Sequence, residues 1–427
     1  MPSEKIILHI DFNSFFASVE QQANPFLRGK AIAVAGKGKE AIDVHSIEKK
    51  GTRVRVDTLP YMRSVITTAS REAKAQGVKT AMATWEARRI LPSLLIIPGD
   101  PRKYSEISSR LMAILRRYAD AVEQFSVDEA FADITCASGG DYFGATLLGE
   151  RIRADIKREC GAYCTASIGI ANNRLLAKLA SESFKPNGFT VVPPEDAEAF
   201  AASRPLQDFC GIGPRMVKRL ESLGVTSIET LRSFPLSRLT HEFKSYGQFL
   251  FDAAHGRGSD LVSDDARDPK SVGHSYTFPF NLLSHEEVRK NLLSLADRVA
   301  SRMRKHGFAS THLTAYVRYD DFSGTGAAKK FKEPISDGLE ILKNALVLLR
   351  PFLEVDRGIR LLGVTASGLT KLEGGLPLLQ KEAKTHSALR SLDKVTARYG
   401  TGTWQRASTL TTDFKERTSG WHYDHET

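Results

Sequence analysis

Val122-Glu123-Gln124-Phe125-Ser126-Val127-Asp128-Glu129-Ala130-Phe131-Ala132-Asp133-Ile134 is the stretch on which the fold turns. Apolar, alternating runs flank Asp128-Glu129 on both sides and suit short strands, so the two acids sit at or near the join of a hairpin. Neighbouring side chains on a flat strand point to opposite faces, and only a bend brings both carboxylates to one point. Carboxylates that meet there repel unless positive charge lies between them, and a divalent cation supplies it.

A third acid belongs to the same argument. Ile6-Ile7-Leu8-His9-Ile10 reads as a buried strand closed by Asp11; from Ser14 the period turns helical, with Phe15, Phe16, Val19 and Ala23 at spacings of three and four. Asp11 therefore lies where a strand hands over to a helix N-terminus, whose free N–H groups and positive dipole end attract phosphate. Asp11, Asp128 and Glu129 together suit two magnesium ions about 4 Å apart, the arrangement that serves nucleotidyl transfer. For any one of these acids taken alone, a solvated strand end is the better reading.

Three segments carry a family resemblance. Asp11-Phe12-Asn13-Ser14-Phe15-Phe16-Ala17-Ser18-Val19-Glu20 resembles the opening motif of the Y-family (DinB/UmuC-type) translesion DNA polymerases, and Ser126-Val127-Asp128-Glu129-Ala130 their second acidic motif. Thr165-Ala166-Ser167-Ile168-Gly169-Ile170-Ala171, then Asn173-Arg174-Leu175-Leu176-Ala177-Lys178-Leu179-Ala180-Ser181, then Lys185-Pro186-Asn187-Gly188, is similar to their third. The three stand in family order, matching segments run from about residue 5 to about residue 405, and the likeness is greatest to the bacterial DNA polymerase IV branch.

The resemblance implies an α+β right-hand polymerase with a ferredoxin-like palm, small fingers, a helical helix-hairpin-helix thumb and an α+β little finger. The expected boundaries are palm 1–21, fingers 22–97 with an insertion at 37–63, palm 98–192, thumb 193–257, linker 258–271, little finger 272–372 and tail 373–427. It implies template-directed, low-fidelity addition of deoxynucleotides to a primer 3′ end across lesions, on primer-template DNA. Asp11, Asp128 and Glu129, with the Phe12 carbonyl, are the implied ligands of two Mg2+ ions, with Mn2+ as a substitute. Phe16, five residues after Asp11, takes the place of the steric gate that rejects a 2′-hydroxyl; core packing is its alternative, and fits Phe15 better. Phe15, Tyr104 and Lys185 join it as implied nucleotide contacts, although packing explains a lone Tyr equally well.

The fingers depart from the family pattern of a Tyr followed three residues later by an Arg. Ser70-Arg71-Glu72-Ala73-Lys74 puts Arg71 at the Tyr position and Lys74 at the Arg position. Lys lacks the planar two-pronged grip of guanidinium, so Arg71 is expected to take over that grip on the triphosphate. Asn13 stands where many relatives carry a second acid, which is not a principal ligand.

Composition agrees. The chain has 427 residues, 60 Lys plus Arg against 50 Asp plus Glu, and a formal charge of +10, which favours a polyanionic partner. At roughly 150 residues per domain it has room for about three domains. Cys136, Cys160, Cys164 and Cys210 form no CxxC pair, which argues against zinc. Absence of a secretory signal and of an apolar run long enough to span a bilayer points to the cytoplasm and to no membrane contact, and the resemblance implies a nucleoid-associated monomer.

Around Gly211-Ile212-Gly213-Pro214 the sequence has a helix-hairpin-helix signature, with Gly211, Gly213 and Lys218 as expected DNA contacts; a plain helix turn is the alternative. Residues 272–372 read strand, helix, strand, strand, helix, strand, with Arg302, Arg304 and Lys330 as further expected phosphate contacts. Residues 37–63 suit a solvated hairpin or a DNA contact. Gly375-Leu376-Pro377-Leu378-Leu379 occupies the place of a sliding-clamp peptide without its Gln and Phe anchors, and suits a plain loop equally well. Two rivals remain at this point. A catalytically dead DNA-binding relative would lack the three acids, and a helix-hairpin-helix nuclease or glycosylase would not explain the first and third motifs.

Overall fold

A computed structural model of the chain describes residues 4–36, 64–264, 268–371, 380–400, 403–410 and 412. The expected insertion at 37–63 and the segment 375–379 lie outside the described residues.

Strands β1 (Ile7–Phe12), β5 (Ala121–Gln124), β6 (Glu129–Asp133), β7 (Ala166–Ala171) and β8 (Phe189–Val192) build a sheet in the order β5-β6-β1-β7-β8. β1 runs antiparallel to both β6 and β7, and β8 is parallel to β7. Strand periodicity sorts β1 between two cores. Leu8, Ile10 and Phe12 share a cluster with Leu111, Ile114 and Leu115 of helix α4 (Pro101–Leu115) and Ile152 and Ile156 of α5 (Tyr142–Glu159). Ile7 faces the other way, into a cluster with Phe131 and with Leu176, Leu179 and Ala180 of α6 (Arg174–Ser183). α4 and α5 thus cover one face of this sheet, and α6 covers the opposite face.

Local sequence sets these helix starts. The side chains of Asp100, Asp141 and Asn173 accept hydrogen bonds from backbone N–H groups of the first turns of α4, α5 and α6. Gly169 decides how near α6 comes to β7: a Cβ there would stand 2.1 Å from Ala177 O and 2.4 Å from Ser181 N. Glycine at this one position lets α6 lie close under β7 and β1.

α1 (Phe15–Ala23) leads from β1 to a smaller sheet of β2 (Ile32–Ala35), β3 (Ile66–Ala69) and β4 (Leu95–Pro98), in the order β3-β2-β4. α2 (Arg71–Ala75) and α3 (Thr84–Ile90) pack on it around Ala33, Ile66, Ala69, Ala73, Val78, Ala87 and Leu94. β4 is half-buried except at Ile97.

Helices α7 (Ala197–Ala202), α8 (Pro214–Glu221), α9 (Ile228–Arg232), α10 (Leu236–Phe243) and α11 (Ser245–Ala254) follow. Their Leu220, Leu239 and Leu250 continue the apolar cluster that begins under the central sheet. The last sheet holds β9 (Ser271–Leu282), β10 (Phe308–Tyr319), β11 (Gly324–Ile335) and β12 (Ile359–Lys371), in the order β11-β10-β12-β9. α12 (His285–Lys305) and α13 (Gly338–Leu349) cover one face of it, and α14 (Gln380–Tyr399) follows. β11 pairs with β10 from Gly324 to Ile335 despite its glycines and lysines. Backbone pairing outweighs local propensity there.

Candidate active site

Asp11 and Glu129 face each other across the β1–β6 ladder, and Asp11 also pairs with Ser167 on β7. Opposed residues share a face of the sheet, so both carboxylates emerge on one side. Asp128 precedes β6 in a bend, where its carbonyl accepts from Phe12 N at 2.9 Å and its Oδ1 accepts from Ser126 Oγ at 2.6 Å. The bend required by the sequence is present at Ser126 to Asp128, and Asp11 and Glu129 stand opposed at the end of β1 with Asp128 adjoining Glu129.

Each end of this acidic group is met by a lysine. Lys185 Nζ lies 3.0 Å from Asp11 Oδ1 and 2.6 Å from Glu182 Oε1. Lys178 Nζ donates to Glu129 Oε2. Burial pushes the Asp11 carboxyl up to about 7, with Lys185 opposing and Asp128 adding to the rise. Burial also raises Asp128, against the hydrogen bond from Ser126. At Glu129 burial works the same way, but His9 and Lys178 outweigh it and hold the carboxyl down at about 2.

His9 forms the floor under Glu129. It is fully buried, its ring centroid is 4.5 Å from that of Phe131, and its Nδ1 is 2.7 Å from Ser181 Oγ. Burial pushes the imidazole down to about 4, so it is neutral at pH 7. Nε2 stands 3.5 Å from Glu129 Oε2 without a hydrogen bond.

These donors suit a hard divalent cation: three carboxylates, two of them raised by burial, with a backbone carbonyl at Phe12. Among the described residues, however, no three acid, His or Cys side chains are already gathered as a metal cluster. Two of the three carboxylates are engaged by lysines instead.

Cations line the neighbouring wall. Arg71 opens α2 and its Nη2 donates to Thr165 Oγ1. Desolvation first, then Lys185 and Arg71, pull Lys74 below the usual lysine range. Phe16 stacks on Tyr104, ring centroids 4.3 Å apart, and Tyr104 donates its hydroxyl to Glu20 Oε1 at 2.9 Å. Two expectations need correction here. Phe15 is only 2 % exposed and Tyr104 only 1 %, so both are core residues; Tyr104 bears on the site through Phe16.

Residues 10–182 match the model of the impB/mucB/samB family, and residues 269–376 match that of its C-terminal domain. The chain belongs to this family. It is 35 % identical to the DNA polymerase IV of Alkalilimnicola ehrlichii over 368 residues, covering 86 % of this chain and 96 % of that one. Identity to the DNA polymerase IV of Desulfatibacillum aliphaticivorans is 34 % over 416 residues, covering 96 % and 98 %. Among solved structures, the Y-family polymerase chimera of Dbh and Dpo4 superposes with a TM-score of 0.74 at 27 % identity, covering 86 % of this chain and 99 % of that one. An insertion ternary complex of Dbh DNA polymerase gives 0.56 at 26 % identity, covering 85 % and 98 %. The protein is a DNA-directed DNA polymerase with the Y-family right-hand fold, and its family depends on divalent metal ions.

In the polymerase, Gly211 adopts φ +101° at the expected hairpin, and Gly213 caps α8 with nothing within 4 Å of where a Cβ would stand. Lys218 is exposed on that helix. Lys330 is exposed on β11 opposite His312, on the face of the sheet that α12 and α13 leave open. Arg304 does not fit the expectation. Its side chain is 6 % exposed, its guanidinium holds Asp393 of α14 with two bonds of 2.7 and 2.9 Å, and Nη1 donates to Ser336 O. Arg302 is half-buried and donates to Gly273 O at 2.8 Å, which ties α12 to β9. Both arginines brace the little finger. No helix among the described residues is long and apolar enough to cross a membrane.

Reading the sequence missed Lys178, Ser181, Glu182 and His9. Lys178, Ser181 and Glu182 stand at i, i+3 and i+4, one face of α6, and that spacing was the available signal.

Proposed function

We propose that this polymerase extends a primer by nucleotidyl transfer at a centre where Asp11, Asp128, Glu129 and the Phe12 carbonyl hold two Mg2+ ions. The observation that carries this reading is the register of Asp11 against Glu129, with Asp128 bent in beside them and a row of cations adjoining. When bound, the two ions supply the charge that acidifies the primer 3′-hydroxyl and neutralises the leaving pyrophosphate. Arg71, Lys74 and Lys185 hold the triphosphate; Arg71 contributes the planar two-pronged contact that a lysine at 74 cannot make. Lys185 leaves Asp11 for the phosphates, and Glu182 is its other partner while the site is empty. Phe16, stiffened by Tyr104 behind it, presses on the sugar and excludes a 2′-hydroxyl.

The parts divide as palm 1–21 and 98–192, fingers 22–97, thumb 193–257, linker 258–271 and little finger 272–372. DNA runs across the thumb hairpin at Gly211 and Gly213, past Lys218, to the open sheet face at Lys330, by contacts to backbone phosphates. A slight fingers domain, with seven buried core residues among those described, leaves the nascent pair open and permits synthesis past lesions at low fidelity. The family's Mn2+ substitution, action as a monomer at the cytoplasmic nucleoid, and a sliding-clamp contact through Leu376 to Leu379 complete the reading; retention on the cognate clamp tests the last.

The deciding experiment is primer extension with Mg2+ and all four deoxynucleotides, beside Asp128→Ala. Wild-type activity with a loss of at least about 1000-fold in the variant, at unchanged melting temperature, is the expected result. Equal activity in the two overturns it.

A further inference from the structure

Lys178 has a place in this site that the substrate does not explain. It sits on α6 below the sheet, its side chain 17 % exposed against 13 % for Glu129, and Nζ donates to Glu129 Oε2. The ammonium also lies 5.3 Å from the centre of the Phe125 ring. Ser181 Oγ donates to the Lys178 carbonyl at 2.8 Å and meets His9 Nδ1 at 2.7 Å, which ties this turn of α6 to β1. The unpartnered, fully buried Nε2 of His9 faces the same Glu129 oxygen. Glu129 is therefore drawn toward α6 by its Oε2, and among the described residues the acids do not form a metal cluster as they stand.

We propose that Lys178 is a built-in counter-cation for Glu129, which a divalent ion must displace before the carboxylate can serve as a ligand. This rests on the reading of Asp11, Asp128 and Glu129 as the metal ligands. A pair of opposite charges largely withdrawn from water attracts strongly, so the lysine lowers the affinity of the empty site for divalent ions. Lys185 plays the same part at Asp11, but it has phosphates to go to when nucleotide arrives; Lys178, beside Phe125 and Glu129, has no such second partner among the described residues. The lysine thereby keeps Glu129 compensated between catalytic cycles.

Mn2+ binding to the full chain, followed by electron paramagnetic resonance without DNA or nucleotide, tests this. Lys178→Met and Lys178→Gln are expected to bind Mn2+ about tenfold more tightly than wild type, and Lys178→Arg like wild type. Affinity unchanged or weakened in both neutral variants overturns the proposal, as does a loss of fold that Mn2+ does not restore; a loss of fold that Mn2+ restores supports it. Adding Asp128→Asn to Lys178→Met separates the two ideas. Lost binding supports the metal-site reading, and binding that survives overturns that reading and the counter-cation role with it.

Discussion

Lys185 Nζ lies 3.0 Å from Asp11 Oδ1. The contact joins the first motif to the third and places the cation beside a carboxylate that burial penalises. Burial nevertheless wins at Asp11, which titrates at about 7 instead of at its ordinary 3.8.

A pH dependence follows from that value. The folded pKa is raised, so without divalent ions the folded chain binds a proton here that the unfolded chain releases. This contribution to stability is present below the unfolded value near 3.8 and is lost as pH rises toward about 7. Metal binding runs the other way, because it needs the carboxylate. Mn2+ affinity is expected to fall nearly tenfold per pH unit below about 7 and to level off above it. Mn2+ titrations at about pH 6, 7 and 8 check this, and a flat profile refutes it.

On the proposed reading, in which Phe16 is the sugar gate, its stack on Tyr104 stiffens that gate. Phe16→Ala is expected to raise ribonucleotide insertion relative to deoxynucleotide by roughly 100-fold, and Tyr104→Ala by a smaller factor of about ten. Tyr104→Phe keeps the stack and loses only the hydrogen bond to Glu20, so selectivity should hold while stability drops by about 1 kcal/mol. Single-nucleotide insertion kinetics with matched ribo- and deoxynucleotides separate the three.

The acidic centre was legible because its residues lie in short motifs at strand ends, where periodicity fixes both position and face. Asp11, Asp128 and Glu129 therefore emerged together, and the bend at Ser126 to Asp128 was foreseeable from two adjacent acids that must converge. Pairings between remote elements were not legible. Nothing near Arg304 in sequence announces Asp393, so a charged helix end read as a phosphate-binding face when it is a brace. Tyr104 likewise looked like a site residue, since its burial depends on Glu20 and Phe16, more than eighty positions away. Lys178 was visible as a charge but not as the partner of Glu129, because closeness of α6 to β7 rests on Gly169.

Arg71 and Lys74 stand where the expected family pattern has Tyr and Arg, and the contact of Arg71 with Thr165 sets its guanidinium over the palm. Arg71→Ala should raise KM for the incoming nucleotide about tenfold or more, the scale of a lost charge-assisted hydrogen bond, with kcat less affected. Lys74→Ala should cost less. Steady-state insertion at varied nucleotide concentration decides it, and an unchanged KM for Arg71→Ala refutes the exchange of roles.

Arg304 and Lys330 make opposite predictions. Arg304 is buried in a two-pronged pair with Asp393, and truncation leaves that carboxylate half-enclosed without its cation. Arg304→Ala should lower stability by about 3 kcal/mol and leave DNA affinity in the folded protein unaltered. Lys330 stands exposed on the open sheet face, where a lysine contributes to phosphate binding and little to stability. Lys330→Ala should leave the melting temperature within error, weaken DNA binding uniformly across sequences, and reduce the slope of log affinity against log salt by about one. Thermal melts and salt-dependent binding isotherms on the same two variants distinguish brace from contact: an unchanged salt slope for Lys330→Ala removes it from the DNA path, and unchanged stability for Arg304→Ala removes the brace.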